Sequence, residues 1–142
     1  FKEFLRFLIE QNRQVHFESN GTIEPDFKAL PELKNCYFAL SVKLENSGES
    51  KENRINARAL KSIFANSKGA FYKFVLSGAD DEIREIKEIL AIQNGTVWLM
   101  PLGANKNELE ITAAKVAGLA IKHGFNYSDR IHIRLWDNKE GV

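Results

Sequence analysis

The side chains best suited to chemistry fall in short clusters along the chain. They are Glu18-Ser19-Asn20, Ser41-Val42-Lys43, Ser77-Gly78, Met100-Pro101-Leu102-Gly103 and Arg134-Leu135-Trp136. Together they supply a carboxylate, an amide, hydroxyls, a lysine and an arginine, a set able to bind a polar, partly anionic metabolite. Glu18 and Asn20 suit hydrogen bonds to a ribose or a heterocycle. Each residue also has an ordinary reading. Glu18 can be a solvated acid at a turn, and Asn20-Gly21 a turn that needs positive φ. Lys43 at the edge of a polar stretch is by composition a solvated cation. Lys73 interrupts an apolar run, either as a snorkelling side chain or as a lumen-facing functional group. Met100-Pro101 is a strand stop first and a ligand wall second. His132 alternates with Ile131 and Ile133, the pattern of a structural histidine; His16 and His123 are similarly bland. Cys36 reads as a small core residue. No His, Cys, Asp or Glu cluster has zinc spacing, so no metal ligands are assigned. There is no glycine-rich phosphate loop, and Ser47-Gly48 lacks the strand–turn–helix setting of a nucleophile elbow. No residue is assigned a catalytic step.

The elements that must position these clusters alternate between helix and strand. Residues 1–12 place Phe4, Leu5, Leu8 and Ile9 on one helical face. Val15 to Glu18 reads as a strand, and Tyr37 to Leu40 as a strand buried on both faces. The polar stretch Leu44 to Arg54, with Gly48, reads as loop. A helix is expected over about 55–67, then a strand over Phe71–Leu76. The next helix opens on Asp80-Asp81-Glu82, acids that favour a helix N-terminus, and closes at Asn94-Gly95. Thr96 to Met100 is a strand stopped by Pro101. Asn105 and Glu108 suggest a capping pair for a helix that runs through His123 and stops at Gly124. Ile131 to Trp136 reads as the last strand. This order predicts an α/β fold with a parallel sheet and right-handed crossovers, as one domain over residues 1–142. Ligands of such folds bind beyond the carboxyl ends of the strands, where the polar clusters fall.

With 44% hydrophobic residues, among them ten Phe, the chain has material for one core. Its 20 basic and 19 acidic residues give no clustered basic face for nucleic acid. No apolar run approaches the ~18 residues of a membrane span. A single cysteine excludes an internal disulfide framework and fits a reducing cytoplasm. The chain opens at Phe1 with Met100 its only methionine, which reads as a processed or truncated chain.

Five segments, in order, resemble the 7-carboxy-7-deazaguanine synthases, a radical S-adenosylmethionine family. They are His16 to Thr22, Ser41 to Gly48, Tyr72 to Val75, Trp98 to Gly103 and Ser128 to Trp136. The family tends to have Thr where Ser19 stands, Pro where Val42 stands and often an acid at the Leu102 position. The resemblance implies a partial (β/α) barrel, of which this is the C-terminal portion.

It further implies a lyase that converts 6-carboxy-5,6,7,8-tetrahydropterin to 7-carboxy-7-deazaguanine with loss of ammonia, in 7-deazapurine and queuosine biosynthesis and hence tRNA modification. The whole enzyme would use S-adenosylmethionine, a 4Fe–4S cluster and Mg2+. A reduced cluster would cleave the cosubstrate, and the resulting 5′-deoxyadenosyl radical would abstract hydrogen from the pterin before ring contraction. By resemblance, Glu18, Asn20, Ser41 and Lys43 face the cosubstrate. Met100, Pro101 and Gly103 line the substrate site, and the segment ending at Val142 closes over it. The family's three cluster cysteines and its Gly-Gly-Glu-Pro segment lie upstream of this region, and Cys36 cannot supply three thiolates. A homodimer without membrane or nucleic-acid partners is expected. The competing reading is a non-enzymatic α/β binding or partner domain without the iron–sulfur half.

Overall fold

The strands form in chain order and pair in chain order. The computed structural model describes residues 1–139 and Gly141. In it β1 (His16–Ser19), β2 (Tyr37–Leu40), β3 (Gly69–Leu76), β4 (Thr96–Pro101) and β5 (Asn126–Tyr127) make one five-stranded sheet. All four pairings are parallel. The helices are α1 (Lys2–Glu10), α2 (Lys51–Arg54), α3 (Ala57–Asn66), α4 (Asp80–Ile92), α5 (Lys106–His123) and α6 (Ile131–Trp136). Sequential order matters. Right-handed crossovers that always step to the next strand put every crossover helix on the same side. The sheet is therefore covered on one face, and because β1 and β5 do not pair with each other it is not closed into a barrel.

Burial follows that rule. On β3, Tyr72, Phe74 and Leu76 are fully buried, while Phe71, Lys73 and Val75 alternate with them as half-exposed residues. On β4, Val97, Leu99 and Pro101 are buried, whereas Trp98 and Met100 lie on the opposite face. The covered face packs against Leu60 and Ile63 of α3, Ile83, Ile86 and Ile89 of α4, and Val116 and Leu119 of α5.

Local chemistry explains the helix ends. Asn105 Oδ1 accepts from Glu108 N at 3.0 Å and its Nδ2 donates to Glu108 Oε1 at 2.8 Å, the expected reciprocal cap of α5. Gly124, at φ +68°, ends that helix in the left-handed region. At α4 the expected acidic start is built on one residue: buried Glu82 accepts from the backbone N–H groups of Ser77, Gly78 and Ala79 at 2.9–3.0 Å.

Two expectations are corrected. Ile131–Trp136 is helix α6, not a strand; the last strand is Asn126–Tyr127. After Tyr127 only Ser128 N still bonds the sheet, to Leu99 O at 2.9 Å. Asp129 Oδ2 then accepts from Arg134 Nε at 2.9 Å and ties the ends of a helical turn. Six residues with apolar alternation fit either period, and only Ile133 is buried. The stretch Leu44 to Arg54 also holds a turn of 3-10 helix at Glu45–Ser47 as well as α2.

Candidate functional site

β1 ends at a turn, β2 runs on into an extended segment, and β3 and β4 stop at Leu76 and Pro101. Beyond and between these ends lies a cleft of about 520 Å³ on the uncovered face. Its floor is Lys73 and Val75 of β3 with Met100 of β4, and one wall is Ser41 to Leu44 with Asn46 and Ser47. The opposite wall is Leu102 with Arg130 and His132 at the start of α6, and Glu18 of β1 closes the side.

The segment after β2 presents its polar residues by simple alternation. Val42 and Leu44 are buried, anchoring the backbone, while Ser41 and Lys43 are left on the cleft side. Lys73 Nζ reaches Glu18 Oε1 at 2.8 Å, spanning β2. Strand register allows the reach: Glu18 is level with Ala39 and Ala39 with Phe71, two residues before Lys73 on the same face of β3, and Ala39 is a small side chain. Lys73 is 24% exposed and Glu18 65%. Lys73 therefore lies on the uncovered face of an open sheet, with no closed lumen for it to face, and is paired there with Glu18.

The other residues of interest are placed as follows. Asn20 is not in the lining: its Oδ1 accepts from Thr22 N at 3.1 Å and Thr22 Oγ1 at 2.8 Å, an Asx turn beside Gly21 at φ +74°. The amides of Ser77 and Gly78 are taken by Glu82. Pro101 and Gly103 are buried and do not line the cleft. The carbonyl of Gly103 accepts from Arg130 Nη1 at 2.7 Å, which ties α6 to the loop after β4. Arg134 is committed to Asp129. Val142 lies outside the described residues. So the structure brings Glu18, Ser41, Lys43 and Met100 to one cleft and leaves Asn20, Pro101 and Gly103 off its lining.

The lining also holds residues to which sequence reasoning gave no role: Asn46, Ser47, Val75, Arg130 and His132. No local signal marks the last two, whose places depend on where α6 packs against the loop after β4. Electrostatically the cleft has three cations, Lys43, Lys73 and Arg130, against one carboxylate, Glu18, which Lys73 already engages. Such a site favours an anionic ligand.

Iron–sulfur ligation does not fit these residues. Cys36 is fully buried, its thiol donates to Glu32 O at 3.5 Å, and burial pushes its pKa up, whereas a cluster needs several thiolates. Among the described residues no group of three His, Cys, Asp or Glu side chains could hold a metal ion. No helix of the described residues is long and apolar enough to cross a membrane.

Comparison with known proteins gives the cleft a context. No family model matches the chain. A 7-carboxy-7-deazaguanine synthase of Pyrobaculum aerophilum is 30% identical over 131 residues, covering 89% of this chain and 54% of that protein. One from Rhodopirellula baltica is 28% identical over 152 residues, 95% of this chain and 57% of its own. A third, from Halobacterium salinarum, is 30% identical over 139 residues, 85% and 53%. The chain spans about half the length of the curated relatives it matches. Over nearly all of its own length, then, this chain is similar to about half of a 7-carboxy-7-deazaguanine synthase.

Proposed function

We propose that the chain forms one half of the active site of a 7-carboxy-7-deazaguanine synthase. In this reading the complete protein is a lyase that takes 6-carboxy-5,6,7,8-tetrahydropterin to 7-carboxy-7-deazaguanine with loss of ammonia. The observation that carries it is the cleft at the carboxyl ends of β1 to β4, rich in cations and lying within a chain similar to these enzymes. S-adenosylmethionine supplies the radical chemistry when bound next to a 4Fe–4S cluster whose ligands are not residues of this chain; Mg2+ likewise has no ligand set among the described residues. What this chain contributes is binding and orientation. The Ser41 hydroxyl and Lys43 ammonium offer donors to the cosubstrate, and the Glu18 carboxylate accepts from hydroxyl or ring N–H groups. Met100 and Val75 give an apolar surface against which a flat heterocycle packs, and Arg130 faces its anionic substituent. The test is anaerobic incubation of the complete gene product with the pterin, S-adenosylmethionine and a reductant, followed by mass detection of 7-carboxy-7-deazaguanine. Lys43→Met is expected to weaken S-adenosylmethionine binding by about tenfold, the loss of one charge-assisted hydrogen bond. No product together with no binding would overturn the reading.

The second reading is a binding domain that works without a cluster. The gene upstream of Phe1 separates the two: a three-cysteine motif and a Gly-Gly-Glu-Pro segment there support the synthase, and their absence supports the binding domain.

A further inference from the structure

The cleft wall that bears Ser41, Lys43 and Asn46 has little regular structure of its own. Between β2 and α3 it holds only a turn of 3-10 helix and the four residues of α2, with Gly48 at φ +78°. Something else must hold its course, and α4 does. Glu82, Glu85 and Glu88 recur at three-residue spacing, so they share one face of that helix. Glu82 Oε1 accepts from Asn46 Nδ2 at 2.6 Å. Glu85 accepts from Glu45 N at 3.1 Å and pairs with Arg54 Nη1 at 2.8 Å, with the two side chains only 15% and 7% exposed. Arg54 passes the constraint on: it donates to the carbonyl of Lys43 and to that of Glu49, each at 3.3 Å. Glu88 adds an exposed pair with Lys51.

We propose that Glu85, acting through Arg54, is a positioning residue for the cleft and fixes the backbone from which Lys43 projects. The proposal rests on the reading that the cleft binds the nucleoside cosubstrate. Two observations separate it from general packing. Glu85 does not line the cleft, so its substitution reaches a ligand only through the 43–54 segment. The contacts also fall on main-chain atoms at Lys43, Glu45 and Glu49, which set backbone position whatever the side chains there. Val42 and Leu44 anchor the same segment by burial, so losing the clamp loosens the wall without unfolding the sheet.

The experiment uses the complete gene product with S-adenosylhomocysteine as a non-reacting probe, measured by calorimetry, and hydrogen exchange read by mass spectrometry. Glu85→Ala is expected to speed exchange at residues 43–49 while β3 and β4 exchange as before. Probe affinity is expected to fall about tenfold, since small misplacements of a binding group are costly. Glu85→Gln keeps one acceptor and is expected to recover part of both effects; it also serves if the alanine variant does not fold. Glu110→Gln, an exposed acid on α5, is expected to match wild type. Unchanged exchange at 43–49 in both Glu85 variants would overturn the proposal, as would faster exchange with wild-type affinity. A wild-type protein that binds no probe would overturn the synthase reading and the positioning role with it. Wild-type binding shared equally by both variants would overturn the positioning role alone.

Discussion

Gly103→Ala tests whether the glycine in the Met100-Pro101-Leu102-Gly103 segment serves packing or ligand approach. A Cβ built there would lie 2.9 Å from Leu109 N, 3.1 Å from Leu109 Cα and 3.2 Å from Glu108 C. These are backbone atoms of the first turn of α5, and that turn cannot easily retreat. Asn105 and Glu108 cap it reciprocally, Glu108 Oε2 accepts from Ala104 N at 2.8 Å, and Asp137 Oδ1 accepts from Lys106 N at 2.8 Å. The loop must therefore move, and overpacking of this kind costs about 1–3 kcal/mol. At this chain length, 1 kcal/mol corresponds to roughly 3–4 °C in Tm, so a loss of about 3–12 °C is expected in a circular dichroism melt. The displaced Gly103 carbonyl would also release Arg130, so the cleft wall shifts with it. Gly118→Ala is the control of opposite sign. It sits within α5 with nothing within 4 Å of an added Cβ, so helix propensity alone should raise stability by up to about 1 kcal/mol. A Gly103→Ala Tm within about 1 °C of wild type would refute the packing argument, and weakened ligand binding at unchanged Tm would return Gly103 to the ligand.

Other outcomes follow from the same contacts. Leu99→Ala removes a fully buried side chain on β4 and should cost about 2–5 kcal/mol by urea denaturation; a cost below about 1 kcal/mol would mean that the sheet–helix core is not where the stability lies. Hydrogen bonding from Arg6 holds the Glu32 carboxyl below its ordinary range, so this contribution is present above the unfolded carboxylate pKa and is lost as pH falls through the lower folded value. Arg6→Met should therefore flatten the decline of the urea midpoint below about pH 4.5, the ordinary carboxylate range; parallel curves would refute the assignment. Among the described residues β1 pairs only with β2, which leaves an edge that invites another strand. Sedimentation of this polypeptide at micromolar concentration should show self-association; a monomer with slow amide exchange at residues 16–19 would show that edge to be covered.

The parts of the fold legible in the sequence were those where period and punctuation agree. Asn105, Glu108 and Gly124 bracket α5 by capping chemistry that acts locally, and Tyr72, Phe74 and Leu76 mark β3 by bulk and alternation. Ile131–Trp136 was misread because its helix buries one residue, so neither period dominates; the ion pair between Asp129 and Arg134, which adds to the helical turn, leaves no mark in the apolar pattern. Glu18, Ser41, Lys43 and Met100 could be brought together on paper because strand ends of a parallel sheet share one rim. Arg130, His132 and Asn46 could not. Their places depend on where α6 and the 43–54 segment pack, and those contacts, Arg130 to Gly103 O and Asn46 to Glu82, join residues 27 and 36 positions apart.

Lys73 joins the two levels. In a sheet covered on both faces, a lysine on the central strand would bury its ammonium at a cost of several kcal/mol unless paired. Here strand order decides otherwise. Five strands added in sequence with crossovers of one hand leave the second face without crossover helices, so the residues opposite Tyr72 and Phe74 are only half-buried. Lys73 can then reach across β2 and meet Glu18 while both keep access to water. The same bare face, at the strand ends where Ser41 and Lys43 emerge, is the cleft. A charged residue within an otherwise apolar central strand thus identifies the uncovered face. The sequential order of the strands explains why that face is free to bind a ligand rather than to pack.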